Sequence, residues 1–174
     1  MRKISPKELD ANPIELIGEQ WMLVTAGNLK KFNTMTASWG AMGELWNKPV
    51  AFVFIRPQRY TFEFTEREEI MTLSFFEPAY RPALTLCGNC SGRDMDKIAK
   101  TGLTPCQTTK GGVTFHEARL VLECRKLYSD VLKKGSFTND KIPSKIYPND
   151  DFHTMYIVEI LNVWVMEQTA IRAK

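Results

Sequence analysis

The run Val50-Ala51-Phe52-Val53-Phe54-Ile55 is apolar throughout and rich in β-branched and aromatic side chains. Its length and type are those of a buried strand, and Pro57 closes it, since proline offers no N–H to a ladder and biases Arg56 toward extended backbone. Comparable blocks stand at Gln20–Thr25, Ile70–Phe76 and His153–Met166. The alternation in Val113–Leu127 fits a half-buried strand, although a helical template also fits part of it. A chain built this way must organise itself around a sheet, so the expected fold class is mainly β with short helices.

Upstream of that run, Asn33-Thr34-Met35-Thr36-Ala37-Ser38-Trp39 consists of short side chains with two β-branched threonines. Such a segment favours extended backbone whose N–H and C=O groups lie open to close approach by a ligand. It also reads as an ordinary strand, with Met35, Ala37 and Trp39 on one face. Downstream, Arg56-Pro57-Gln58-Arg59-Tyr60-Thr61 leads into a short helix over 61–67. A helix start with free N–H groups, a threonine hydroxyl and two arginines suits an anion. Solvated arginines at a turn are the plainer alternative. Taken together, residues 32–61 suit a flat heterocycle that carries a phosphate.

Gln20–Thr25 and the segment from Phe32 are expected to pair as antiparallel strands across the turn at 26–31. Ile4–Leu16 reads as a polar lead-in broken at Pro13, and Glu77–Leu86, with Pro78 and Pro82, as irregular structure or a short helical turn. In Ser91-Gly92-Arg93-Asp94-Met95-Asp96-Lys97 a helix starting near Gly92 would be capped by Ser91 and would put Arg93 and Lys97 on one face. Gly102 would end it. Residues 129–151, with two prolines, form a polar excursion of the kind that covers a site or a partner. His153 follows it beside Asp150 and Asp151.

The pair Cys87-Gly88-Asn89-Cys90 admits another reading. A C-x-x-C at a helix start lowers its thiol pKa and serves disulfide exchange, but the βαβ context of such proteins is missing here. Zinc is disfavoured because Cys106 and Cys124 are isolated and the chain has two histidines. With 174 residues, 44% hydrophobic and 25% charged, the composition supports one globular domain over 1–174. A net charge of +3 with scattered basic residues argues against nucleic acid. No window approaches ~18 consecutive apolar residues, so no membrane span is expected and a cytoplasmic location is the default.

Four separated blocks, NTMTASWG, LWNKPVAFVFIRPQRYTFEF, LCGNCSGRDMDK and DFHTMYIVEI, resemble in this order the flavin reductase-like proteins with an FMN-binding split barrel, flavoredoxins among them. The resemblance spans about residues 21–160. It implies a split β-barrel, a homodimer with FMN near the interface, and electrons passed from NAD(P)H through the flavin to a small-molecule or protein acceptor. The cofactor-binding set it implies is Asn33, Met35, Thr36, Ala37, Ser38, Trp39, Arg56, Arg59, Thr61, Ser91, Gly92, Lys97 and His153. No catalytic acid or base and no metal ligand is assigned, because flavin carries the redox chemistry itself. The alternatives are a flavoredoxin-type electron carrier without a nicotinamide site, and a C-x-x-C thiol–disulfide protein.

Overall fold

A computed structural model describes residues 1–167 of the chain. The strands are β1 (Arg2–Ile4), β2 (Met22–Asn28), β3 (Lys31–Ala37), β4 (Gly40–Leu45), β5 (Lys48–Ile55), β6 (Ile70–Phe75), β7 (Pro105–Gln107), β8 (Val113–Phe115), β9 (Leu120–Val131) and β10 (Thr154–Val165). The α-helices are α1 (Pro13–Glu15), α2 (Tyr60–Arg67), α3 (Arg81–Asn89), α4 (Lys97–Thr101) and α5 (Lys141–Ile146).

The main sheet runs β3-β2-β6-β9-β10-β5-β4, antiparallel throughout, and β1 extends the free edge of β10 beyond β5. Its two outer strands, β3 and β4, are consecutive in the chain and only Ser38 and Trp39 separate them. The sheet therefore has to curl until its edges nearly meet. They do not pair, so the barrel stays split at this point. β7 and β8 form a separate hairpin.

Two apolar layers result from the strand pleat. Inside the barrel lie Val24, Leu73, Phe75, Leu122, Tyr156 and Val158, closed at one end by Phe64 of α2. The opposite face, with Leu23 and Val121, packs on Leu84 and Cys87 of α3 and on Phe115. Fully burying one such side chain contributes about 1.5–3 kcal/mol. At the β2–β3 hairpin, Gly27 has φ +116°, and a Cβ there would lie 2.4 Å from the Lys31 carbonyl oxygen. Only glycine fits that close approach. No helix among the described residues is long and apolar enough to cross a membrane.

Several sequence expectations need correction. Pro13 opens α1 rather than breaking the chain, because proline is tolerated at the first helical position and the Asn12 side chain accepts from the Ile14 N–H. Pro82 likewise sits in the first turn of α3, so 81–89 is a regular helix. Strand β4 carries two glycines and an exposed Glu44, which hid it. Trp46 and Asn47, both at positive φ, make the two-residue turn into β5. The segment 113–127 is two strands, interrupted where the Ala118 N–H bonds back to the Phe115 carbonyl. Strand β9 runs on to Val131 and takes in the start of the expected excursion.

Candidate functional site

Because β3 is an edge strand that runs into the split, its backbone and short side chains lie open along one side. Met35, Thr36, Ala37, Ser38 and Trp39 line a hollow of about 210 Å³ together with Phe54, Arg56, Arg59 and His153. Enclosing pockets for small molecules are typically about 300–1,000 Å³. A planar ring seated here would keep much of its surface exposed. Asn33 and Thr34 line a second hollow of about 650 Å³ with Gly92, Arg93 and Lys97. Successive residues of one strand thus border both hollows.

Between the two hollows, polar contacts join β3 to the end of α3. Lys97, 5% exposed, donates to the Thr34 carbonyl at 2.8 Å and to the Cys87 carbonyl at 3.2 Å. Arg59 donates to that same Cys87 carbonyl at 3.2 Å and to the Gly88 carbonyl at 2.6 Å. Neither cation pairs with a carboxylate among the described residues. Burial pulls the Lys97 ammonium below the ordinary lysine range, and Arg59 pushes it the same way. Two cations that share one carbonyl, with no carboxylate on either among the described residues, leave positive charge that an anion could balance.

Asn33 donates through Nδ2 to the buried Thr61 hydroxyl at 2.7 Å. Gly92 lies against it, and a Cβ at Gly92 would come within 2.0 Å of Asn33 Oδ1 and 3.2 Å of the Tyr60 ring. Gly92→Ala should therefore turn Asn33 off Thr61 and, if an anion such as phosphate binds in the second hollow, lower its affinity about tenfold while the fold survives. Ligand titration beside a thermal melt checks this, and an unchanged affinity would remove Gly92 from the site.

In the ring hollow, the His153 imidazole packs 5.3 Å from the Trp39 ring, and its Nδ1 lies 2.8 Å from the Tyr147 hydroxyl. Burial, followed by the Arg56 charge, pushes the His153 pKa down to about 4. The ring is thus neutral at pH 7. Its folded pKa lies below the unfolded value of 6.5, so the unfolded chain binds the proton more readily. The His153 contribution to stability is complete above pH 6.5 and is lost as pH falls toward about 4. Across that window, wild-type unfolding midpoints should fall more steeply with acid than those of His153→Gln. Equal slopes would contradict the neutral ring.

Arg56 is a bracket rather than a free cation. Its Nη1 pairs with Asp151 at 2.5 Å, its Nη2 donates to the Ile146 carbonyl at 2.9 Å, and its guanidinium lies over the Tyr147 ring. Gln58 also donates to Asp151, at 2.6 Å. The excursion after β9 is in this way fastened to the hollow, with the rings of Phe137, Tyr147 and Phe152 packed against one another at a tilt.

Two expectations about this region fail. No helix begins at Gly92, because the Ser91 hydroxyl is taken up by the Arg93 N–H in a turn and Asp96 caps α4 by accepting from Ile98 and Ala99. Arg93 pairs with Glu63 and lies over Tyr60, although it still borders the hollow that Lys97 lines. Cys87 and Cys90 end α3 instead of starting a helix, so the positive end of the helix dipole is not beside them. Ser91 and Thr61 border neither hollow; Thr61 accepts from Asn33, which borders one of them. Sequence reasoning missed Phe54, Tyr147 and the Cys87 and Gly88 carbonyls. Main-chain acceptors at a helix end carry no residue-type signal, although the aromatic spacing Tyr147, Phe152, His153 did offer one.

A family model for the flavin reductase like domain matches residues 15–172. This chain belongs to that family. The flavin reductase-like domain is similar to flavoredoxin from Methanosarcina acetivorans, with a TM-score of 0.67, 22% identity, and 89% of this chain and 73% of that chain covered. It is also similar to flavoredoxin of Desulfovibrio vulgaris (Miyazaki F), with a TM-score of 0.67, 22% identity, and 96% and 78% covered. A third likeness is to an FMN-binding protein from Thermus thermophilus with bound p-hydroxybenzaldehyde, with a TM-score of 0.67, 20% identity, and 100% and 87% covered. None of the proteins with curated functions matches. The mainly β split barrel expected from the sequence is the fold of this flavin reductase-like domain; the smaller hollow lies at its open seam, and the larger lies toward the other end of β3.

Proposed function

We propose that this domain binds FMN along β3 and acts as an FMN-dependent oxidoreductase, taking electrons from NAD(P)H and passing them to a small-molecule or protein acceptor. The observation that supports it most is the convergence of Lys97 and Arg59 on the Cys87 carbonyl with no carboxylate partner among the described residues. A phosphate monoester is the anion that this pair, with the Asn33 amide and the glycine at 92, would take. At about 3.3 Å per residue, Asn33 to Trp39 extends roughly 20 Å, enough for a ring and a phosphate-bearing chain laid end to end.

When bound, FMN supplies the hydride and electron chemistry. The protein's own residues bind and orient. Main-chain groups from Met35 to Ser38 meet the ring edge, and Trp39 shields one side, contributing about 0.5–1.5 kcal/mol beyond burial. When the Tyr147 hydroxyl donates to His153 Nδ1, Nε2 holds the ring proton and is the nitrogen left to donate to a ligand. A neutral donor suits a ring edge that gains negative charge on reduction. A homodimer that covers the exposed side of the ring belongs to the same reading.

Two of the similar structures carry the name flavoredoxin, which supports a second reading as an electron carrier with no nicotinamide site. Reconstitution with FMN, then anaerobic titration with NADH and NADPH, tests both. Bleaching of the flavin absorbance supports the reductase. A yellow protein that neither nucleotide reduces supports the carrier, and failure to bind FMN overturns both.

A further inference from the structure

Cys87 and Cys90 remain unused by that chemistry, yet they sit at its hinge. Cys87 is fully buried in the last turn of α3, and Cys90 is half-buried at its C-cap. Residues three apart at a helix end share a face, with Cα atoms about 5 Å apart. That falls inside the roughly 4.4–6.8 Å window of a disulfide. We propose that Cys87 and Cys90 are a peroxide-sensitive dithiol whose disulfide loosens the anion site held by Arg59 and Lys97.

The coupling is built into the backbone. The Cys87 and Gly88 carbonyls that hold Arg59 and Lys97 belong to the turn a disulfide would tighten. Cβ atoms three apart on a helix lie about 5–6 Å from one another, against about 3.5–4.5 Å in a disulfide. Closing the bond therefore requires that turn to contract. Cys90 has already left helical geometry, at φ −107° and ψ 150°, so the contraction falls on 87–90 rather than on the body of α3. The groups also lie close enough to feel one another: burial holds the Cys87 thiol above the ordinary thiol range, Lys97 and Arg59 offset part of that rise, and Cys90 adds to it.

The step balances with hydrogen peroxide as oxidant. The Cys90 thiolate attacks one peroxide oxygen, the O–O bond breaks, and hydroxide leaves to take a proton. The Cys87 sulfur then displaces water from the Cys90 sulfenic acid, forming the S–S bond. The dithiol loses two electrons and one peroxide becomes two waters. Cys106 and Cys124 have no cysteine three residues away, and Cys124 is fully buried in the barrel.

The test treats the whole protein with graded hydrogen peroxide, blocks free thiols in acid, and maps the peptide that contains both cysteines. Expected are the loss of two hydrogens from that peptide, FMN affinity about tenfold weaker, and recovery of both with dithiothreitol. Cys90→Ser should abolish both changes, and Cys106→Ser neither. The weakening rests on the FMN reading, but the peptide map does not. Should the reduced protein bind no FMN, that reading fails by itself, and the hold on inorganic phosphate decides the coupling. Over-oxidation of Cys90 with Cys87 still free, or a disulfide that leaves affinity unchanged, overturns the proposal.

Discussion

Lys97→Met is expected to weaken FMN binding roughly ten- to hundredfold, the loss that follows when a charged hydrogen-bond partner is removed. The same change should barely move the stability of the ligand-free protein. Lys97 is buried and its shifted pKa records the cost of keeping a charge there, so replacing it with an apolar chain of similar length removes that cost along with two bonds to carbonyls. FMN titration by absorbance or fluorescence, paired with urea unfolding of the free protein, separates the effects. Retained affinity would place the phosphate away from Lys97. Lost affinity with a collapsed fold would make Lys97 a structural residue.

The largest loss of stability is expected away from the hollows. Glu123 is completely buried, and its carboxylate accepts from Asn162 Nδ2 at 2.6 Å, from the Thr109 hydroxyl at 3.0 Å and from the Lys110 N–H at 2.8 Å. These bonds tie the β7–β8 hairpin loop to β9 and β10. Glu123→Ala strands the Thr109 hydroxyl and the Lys110 N–H and leaves Asn162 only its bond to Thr109, so it should cost roughly 3–4 kcal/mol, since each buried donor left without a partner costs about 1–3 kcal/mol before relaxation. Glu123→Gln should fall between, because its amide keeps one acceptor oxygen but turns a donor toward donors. Urea midpoints with an unchanged denaturant slope would measure this. A cost below about 1 kcal/mol would show that water replaces the network.

Glu123 also shows where reading the chain reached its limit. Strict alternation over residues 118–125 puts Arg119, Val121, Glu123 and Arg125 on one face, yet that face buries Val121 and Glu123 completely and leaves Arg125 exposed. Periodicity reports which side a residue faces; it is silent on what lies opposite. The hairpin that covers Glu123 comes from residues 105–115, and nothing local announces that it folds back over β9.

The site divides in a similar way. Asn33, Gly92 and Lys97 border one hollow, and Met35–Trp39, Arg56, Arg59 and His153 border another, where the sequence suggests a single shared site. The mode of engagement was not legible. Arg56 was expected at a phosphate and instead holds the excursion through Asp151, a pairing across 95 positions of sequence.

What the sequence determined by itself was local: strand-length apolar runs, the helix that follows Arg59, the glycine stop at Gly102 and the small-residue character of β3. Each follows from φ/ψ preference, pattern and capping within a few residues. Tertiary structure alone decided that the barrel stays open at Ser38–Trp39, that the last turn of α3 presents its carbonyls to Arg59 and Lys97, and that these two cations meet with no carboxylate on either among the described residues. Those outcomes depend on which distant segments become neighbours, and the energy that selects them is the burial of surfaces no local stretch contains.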